Sequence, residues 1–246
     1  MIGYSSFASF YDPLTLNIDY KSQADYYLEI FGRFGTSPKL LLDLACGTGS
    51  LTVELMGKGI DVIGVDASAQ MLSIASGKAG EAGFSPLLLC QPMQSLDLYG
   101  TVDTAVCMLD SINHLTRPED VRETFRRLHL FVEPGGLFVF DVNTPYKHRK
   151  VLGDNTFVYD VDEVFCVWRC SCRDLTVSIE MDFFEREKGL YRRSRECFSE
   201  RAYPDEDLRG WLSDAGFEVL AVYEDFSFRP ANEQSERTVY VTRRGE

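Results

Sequence analysis

The segment Lys39-Leu40-Leu41-Leu42-Asp43-Leu44-Ala45-Cys46-Gly47-Thr48-Gly49 decides the fold of this 246-residue chain. Its first six residues are apolar on both alternating faces, which is typical of a buried strand in a parallel sheet. The residues that follow form a turn with two glycines and open a helix predicted over residues 48–58. A strand that passes through such a turn into a helix predicts an α/β domain with a ligand at the carboxyl end of the sheet.

Outward from this segment the chain alternates between strands and helices, which predicts a doubly wound parallel sheet. An N-terminal helix is predicted over residues 19–34. Further strands are predicted over residues 61–65, 86–90, 102–109 and 137–142, with helices over 68–82 and 118–132. A turn is expected at residues 133–136, because Pro134, Gly135 and Gly136 follow one another there.

After Asn143 the helical periodicity disappears. Residues 155–200 alternate as strands, with turn signals at Asp174 and at residues 187–189, and predict an antiparallel meander. A helix over 204–215 and strands over 217–223 and 238–242 then resume the α/β pattern, and the last two strands can pair at the sheet edge. Residues 1–144 and 201–246 are therefore assigned to one domain, with a helical lid at 1–37, and residues 145–200 to an inserted antiparallel β subdomain.

Composition narrows the function classes. The net charge of −13 disfavours a nucleic-acid partner, although a local basic patch would still allow one. No apolar run approaches the roughly 20 residues that cross a bilayer, and the N-terminus lacks a signal-peptide pattern, so a cytoplasmic protein without membrane contact is expected. The seven cysteines include no Cys-x-x-Cys pair and there are three histidines, so no metal site is expected.

The glycine turn predicts a ligand site with two acids. Gly47 and Gly49 allow the backbone to approach a ligand closely, because glycine has no Cβ. Asp43 at the strand end can accept from a ligand ammonium group, and Asp66 at the end of the second strand can bind both ribose hydroxyls. A dinucleotide would favour a third glycine where this chain has Thr52, and the Gly-Lys-Ser/Thr of a P-loop is missing.

These motifs resemble those of the class I S-adenosylmethionine-dependent methyltransferases. The resemblance rests on residues 43–49, Asp66, residues 91–93, residues 103–108 and residues 133–136, covers residues 38–142 well and covers the C-terminal strands loosely. N-terminal residues (Tyr4, Phe7, Ala8, Tyr11, Asp12 and Tyr20) and the meander make the chain most similar to a small-molecule subgroup that includes sugar N-methyltransferases. The resemblance implies a mostly parallel, seven-stranded, Rossmann-like sheet with an antiparallel insertion.

The resemblance also implies roles for individual residues. S-adenosylmethionine would be the cofactor, with its methionine part against residues 45–49 and near Asp43, and its ribose on Asp66. The residues expected to bind the cofactor are Asp43, Ala45, Gly47, Gly49, Asp66, Ala67, Met71, Gln91, Met93 and Tyr20. Many relatives carry an acid at the position of Pro92 to accept from the adenine amino group, and Pro92 cannot accept in this way. Gln91, Gln94 or the backbone must then meet the adenine.

Methyl transfer to an acceptor would take place beside the segment that follows the fourth strand. Asp110 and His114 lie there, since an aspartate can orient an amine and a histidine can take a proton near neutral pH. Tyr11 is a third candidate, over the cofactor or substrate. Because a sulfonium already activates its methyl group, proximity and orientation supply most of the catalysis, and a base is needed only if the acceptor must lose a proton.

The predicted function is methyl transfer to an amine or hydroxyl of a small molecule. Three alternatives are open. An RNA methyltransferase would share the core but show a basic face. A non-catalytic module would bind the cofactor without an acceptor site, and a dinucleotide-dependent oxidoreductase would need the third glycine that Thr52 replaces. The oligomeric state is not indicated by the sequence.

Overall fold

The computed structural model describes residues 18–161 and 164–246. Five α-helices are found there, α1 Tyr20–Arg33, α2 Ser50–Gly57, α3 Ala69–Glu81, α4 Pro118–Phe131 and α5 Asp205–Asp214. The strands are β1 Leu40–Leu44, β2 Asp61–Asp66, β3 Leu87–Cys90, β4 Val102–Cys107, β5 Val132–Asn143, β6 Thr156–Val161, β7 Val164–Arg173, β8 Thr176–Glu187, β9 Leu190–Arg201, β10 Phe217–Glu224 and β11 Arg237–Arg244. Short 3-10 helices span Met93–Ser95 and Ser111–His114, and a π-helical turn spans Lys147–Leu152.

The larger sheet has seven strands in the order β10-β11-β5-β4-β1-β2-β3. Strand β1 lies between β2 and β4 and is parallel to both, while β11 is antiparallel to β5 and to the edge strand β10. The chain moves outward from β1 to β3 and then returns to β4 on the other side of β1. This reversal opens a crevice at the carboxyl ends of β1 and β4, where doubly wound folds bind ligands. The predicted Rossmann-like class is confirmed.

Helices cover the sheet on both faces. On one face Leu41, Val106 and Val139 pack with α1 and α2. On the other face Leu42, Ala105 and Phe140 pack with α4 and α5. Neighbouring residues of one strand thus enter opposite cores, which explains why these strands read as continuous apolar runs.

The second sheet is an antiparallel meander in the order β6-β7-β8-β9, as the sequence predicts. Its buried face carries Cys166, Ile179, Met181 and Phe183 beside Leu152 of the π-helical turn, and Trp168 packs at the edge of this cluster. The opposite face is charged, with Asp182 held by Arg169, Arg193 and Arg195. The insertion therefore has its own small core.

Asn113 joins the two ends of the inserted sheet to the main sheet. Its side-chain amide donates to the carbonyl oxygens of Asn143, at 3.1 Å, and Arg201, at 2.9 Å. Its carbonyl oxygen accepts from the Asn143 backbone N–H at 2.9 Å. Because Asn113 is fully buried, these three hydrogen bonds fix the points where the chain leaves and re-enters the larger sheet.

Two local predictions need correction. Residues 133–136 bulge between the paired residues Val102–Val132 and Thr104–Leu137, so the predicted turn lies inside β5 rather than before it. The second half of the predicted lid at residues 1–37 is α1, whose buried Ala24, Tyr27 and Ile30 belong to the core. A lid formed by residues 1–17 stays a prediction and lies outside the described residues.

Within the described residues, no helix combines the length and apolar character that a membrane crossing requires.

Candidate active site

The turn after β1 has the geometry of a ligand-binding loop. Ala45, Gly47 and Gly49 have left-handed backbones, with φ of 62°, 54° and 74°. The Gly49 N–H donates to the carbonyl of Cys46 at 2.9 Å, and α2 begins directly after it. Backbone N–H groups at the start of a helix are free of intrahelical partners and carry partial positive charge, so this loop suits an anionic or polar ligand group.

Asp66 at the end of β2 shapes the other side of this loop. Its carboxylate accepts from the backbone N–H groups of Gly47, at 3.0 Å, and Ser68, at 2.8 Å. A carboxylate has about four acceptor positions, so two remain for ligand hydroxyls. Burial raises the pKa of Asp66, and the two backbone donors oppose that rise.

Asp43 at the end of β1 is fully buried. One carboxylate oxygen accepts from the Thr52 hydroxyl at 2.6 Å, and the other has no hydrogen-bond partner among the described residues. Burial raises the pKa of Asp43 to about 7, while the Thr52 hydrogen bond opposes the rise and the charge of Asp66 adds to it. A buried acceptor without a donor calls for a ligand donor such as an ammonium group or its bound water.

A small cavity that opens to solvent lies between the turn and the end of β4. Its lining residues come from α1, the glycine turn, α2 and the segment after β4, and they are Tyr20, Ala45, Cys46, Gly47, Thr48, Ser50, Leu51, Met108, Leu109 and Ser111. The predicted residues Tyr20, Ala45 and Gly47 therefore meet at one cavity. Neither Asp43 nor Asp66 lines this cavity, although their remaining acceptor positions match in kind the ammonium and ribose hydroxyls of S-adenosylmethionine.

The residues predicted to contact the adenine do not line this cavity. Met71 is buried, Ala67 is exposed, and Met93 packs partly into the core. The Gln91 amide is already engaged with the backbone of Asp97, donating at 3.0 Å and accepting at 2.9 Å. Gln94 instead has a buried side-chain oxygen with no partner in the described part of the chain.

The segment after β4 is held by a buried ionic network. Leu109 and Asp110 have left-handed backbones, and their N–H groups donate to Asp141 at 2.7 and 2.9 Å. Arg237 pairs with Asp141 and, at 2.6 Å, with Asp110. Burial alone would raise the pKa of Asp110, but the charges of Arg237 and Lys147 outweigh it and hold the pKa below its ordinary value.

Asp110 and His114, predicted as catalytic candidates, lie close together beside Glu200. One ligand atom from each of the three lies within 4.8 Å of the others, a spacing that a metal ion would also allow. His114 Nε2 is 3.7 Å from Glu200 Oε1, and the His114 side chain is 26% exposed. Burial lowers the pKa of His114 despite the charges of Asp110 and Asp66. Tyr11, the third candidate, lies outside the described residues.

Sequence reasoning missed Asp141, Arg237 and Glu200. One signal was available, because Asp141 interrupts the apolar run of residues 137–142 and a charge inside a buried strand demands a partner. Nothing local marks the partner, since Arg237 is 96 residues further along the chain.

The glycine turn offers a test of the loop geometry. A Cβ on Gly49 would come within 2.8 Å of Ala75 Cβ, on a backbone that side chains rarely adopt. We expect Gly49→Ala to destabilise the free protein by about 2 kcal/mol or more, since overpacking and left-handed strain add. Gly47→Ala is the matched control, because its Cβ would meet no described atom within 4 Å and only the strain of about 1 kcal/mol applies. Urea unfolding measures both, and equal losses would contradict the packing argument.

Comparisons with known proteins agree with this fold. The profile of a family described as a methyltransferase domain matches residues 41–136. A protein of Geobacillus sp. (strain WCH70) that bears the name of a methyltransferase is 34% identical over 98% of this chain and 99% of its own length. A crystal structure of an S-adenosylmethionine-dependent methyltransferase from Clostridium acetobutylicum ATCC 824 is 35% identical, covers 99% of both chains and superposes with a TM-score of 0.91. A sugar N-methyltransferase from Streptoalloteichus sp ATCC 53650 shares the fold, with 21% identity, 94% and 90% coverage and a TM-score of 0.79.

The doubly wound fold and these relatives together define an enzyme that uses S-adenosylmethionine. The chain belongs to the class I S-adenosylmethionine-dependent methyltransferases. Its cofactor is S-adenosylmethionine.

Proposed function

We propose that this methyltransferase acts on an amine or hydroxyl of a small molecule, with an amine favoured. The observation that carries the proposal is the position of Asp110 and His114. They follow Leu109 and stand beside Ser111, and both of these residues line the cavity assigned to the cofactor. With Glu200 protonated, the carboxylates Asp110 and Asp141 balance the cations Arg237 and Lys147. The groups that favour an amine are therefore Asp110, which can accept from it, and His114, which can take its proton.

The cofactor contacts are assigned as follows. Asp43 accepts from the ammonium group, directly or through water, and Asp66 accepts from the ribose hydroxyls. Ala45, Gly47 and Gly49 bring the backbone against the methionine part, and Tyr20 closes that side of the cavity. Met71 and Ala67 flank the adenine. At its edge, the engaged amide of Gln91 favours the backbone of residues 91–93 and the side chain of Gln94.

Catalysis by this chain consists mainly of holding the acceptor atom in line with the methyl group and the sulfur that it leaves. When bound, S-adenosylmethionine supplies a methyl group activated by the sulfonium charge. Asp110 orients the acceptor through a charge-assisted hydrogen bond, and His114 accepts the proton that an amine must lose before it can attack. Tyr11 is a further candidate for acceptor contact, and residues 1–17 with the inserted sheet are proposed to exclude water.

An RNA acceptor is disfavoured by the charge of −13, and three arginines of the insertion, Arg169, Arg193 and Arg195, are engaged around Asp182. A cytoplasmic location fits the seven cysteines, all of which are free thiols.

Thermal melting tests the cofactor assignment, and an acceptor screen tests the substrate class. S-adenosylmethionine and S-adenosylhomocysteine at 100 times their dissociation constants should each stabilise the protein by about 2.7 kcal/mol, and NAD should not. Release of S-adenosylhomocysteine is then followed with panels of small amines, small hydroxyl compounds and RNA. Turnover with RNA alone would contradict the substrate class, and stabilisation by NAD alone would contradict the cofactor site.

A further inference from the structure

Glu200 is a buried acid between two histidines. It lies near the end of β9, is 4% exposed, and faces His114 with Oε1 at 3.7 Å and His148 with Oε2 at 3.9 Å. The Asn143 side-chain amide donates to Oε2 at 3.4 Å. A carboxyl group this deeply buried must either hold a proton or accept hydrogen bonds from its neighbours.

The tautomer of His148 follows from its surroundings. Nδ1 lies 2.9 Å from the carbonyl oxygen of Leu175, and a carbonyl can only accept, so Nδ1 carries the proton. Nε2 of the neutral ring is then an acceptor. It is fully buried, has no hydrogen-bond partner within the described part of the chain, and faces Glu200. His148 Nε2 therefore faces Glu200 as an acceptor across 3.9 Å, and the two side chains must close to hydrogen-bond distance for a proton to pass between them.

We propose that His114, Glu200 and His148 form a proton-holding triad in which Glu200 positions His114 as the proton acceptor of the acceptor site. The proposal rests on the proposed amine methyltransferase function. Within the triad, Glu200 is a positioning residue that acts through His114, and His148 is the store for the proton that Glu200 gives up.

The charged groups around Glu200 come from every element packed against it. They are Asp110 after β4, His114 of the 3-10 helix, Lys147 and His148 of the π-helical turn and Arg237 of β11. Burial, with the charge of Asp110, raises the pKa of Glu200 to about 8, although Asn143, Lys147 and Arg237 oppose the rise. Burial also lowers the pKa of both histidines. At neutral pH the triad thus holds its shared proton on Glu200.

Every proton in the proposed transfer has a donor and an acceptor. When Glu200 passes its proton to His148 Nε2, the carboxylate can accept from His114 Nε2–H, and the other ring nitrogen of His114 becomes the proton acceptor. An ammonium acceptor then breaks its N–H bond, the proton binds to that nitrogen, and the electron pair stays on the acceptor for methyl transfer. Glu200 stabilises the resulting imidazolium, as a buried acid does for a catalytic histidine.

A divalent metal at Asp110, His114 and Glu200 is the competing assignment. Asp110 already accepts from Arg237 at 2.6 Å, and Lys147 lies close enough to lower its pKa further. A dication would therefore sit against two existing positive charges. The raised pKa of Glu200 also opposes metal binding, because a ligand must be deprotonated.

Imidazole ¹⁵N NMR of the free protein from pH 5 to 9.5 tests the triad. The chain has three histidines, and single variants at His114 and His148 assign the signals. In the wild type we expect His114 and His148 to share an inflection near the pKa of Glu200. In Glu200→Gln that inflection should disappear, since the carboxyl group that produces it is lost. His129, on α4 against Phe217, is the internal reference and should not move.

His148→Asn is the second variant, and it serves if Glu200→Gln fails to fold. The shared inflection should then move to lower pH, because the protonated Glu200 loses the nitrogen that accepts from it. An unchanged His114 titration in either folded variant would overturn the triad. Stoichiometric loss of the His114 signal on adding zinc chloride would also overturn it, in favour of a metal centre. Melting with S-adenosylhomocysteine separates the proposals, since its failure would overturn the methyltransferase function and leave the shared inflection intact.

Discussion

Arg237→Leu is expected to lower the free energy of unfolding by about 3–5 kcal/mol, because removing one partner of a buried ion pair leaves an uncompensated charge. Here two carboxylates lose their partner, since Arg237 pairs with both Asp141 and Asp110. Asp141 also holds the left-handed backbone of Leu109 and Asp110, so the segment beside the cofactor cavity should loosen with it. The measurement is urea unfolding followed by circular dichroism.

Arg229→Leu is the matched control for this prediction. Arg229 lies eight residues earlier on the loop before β11 and pairs with Glu224, but its side chain is 75% exposed. Exposed ion pairs contribute about 0–1 kcal/mol. A loss from Arg237→Leu no larger than that from Arg229→Leu would show that the network around Asp141 is not a main support of the fold.

Asp66→Asn is expected to weaken binding of S-adenosylmethionine and S-adenosylhomocysteine about 10- to 100-fold. The change keeps the shape of the side chain and removes the charge that we propose accepts from the ribose hydroxyls, and hydrogen bonds to charged groups contribute about 1.5–3 kcal/mol. Both ligands should lose affinity equally, because they share the ribose. Isothermal titration calorimetry gives the two dissociation constants.

Asp61→Asn controls for the loss of a negative charge on the same strand. Asp61 is exposed at the opposite end of β2, away from the cavity. The Asp61→Asn variant should bind both ligands as tightly as the wild type does. If Asp66→Asn also binds like the wild type, the ribose does not lie on Asp66, and the assignment of the cofactor site fails there.

Much of the fold was predictable because its signals are local. Each parallel strand is a short apolar run that ends at a polar residue or a turn, and Ser68 caps α3 as its side chain predicts, accepting from the Met71 N–H. The change at Asn143 from helical to alternating periodicity marks the insertion. The sequence did not show how deeply α1 is buried. It predicts this helix as part of a lid, and only the packing of α1 on Leu41 and Val139 makes it part of the core.

The candidate site also contains residues with a local sequence signal and residues without one. Asp43, Gly47, Gly49 and Asp66 are recognisable because the glycine turn and the strand ends are written within 24 consecutive residues. Glu200 and Arg237 are not, because they reach the site from β9 and β11 through the sheet topology. Thr52 is recognisable in the sequence only as the residue that stands in place of a third glycine. The structure adds that its hydroxyl donates to Asp43.

The three hydrogen bonds of Asn113 have a consequence for how such a chain can diverge. They secure the two points at which the inserted sheet joins the larger sheet, so strand lengths and loops beyond those points can vary without moving the glycine turn. Asn113 also precedes His114 directly. Exchange of the whole sheet between Asn143 and Arg201 would thus offer a new wall for the acceptor while the methyl-donor half keeps its geometry, and recombination at these two junctions is a route to new substrates.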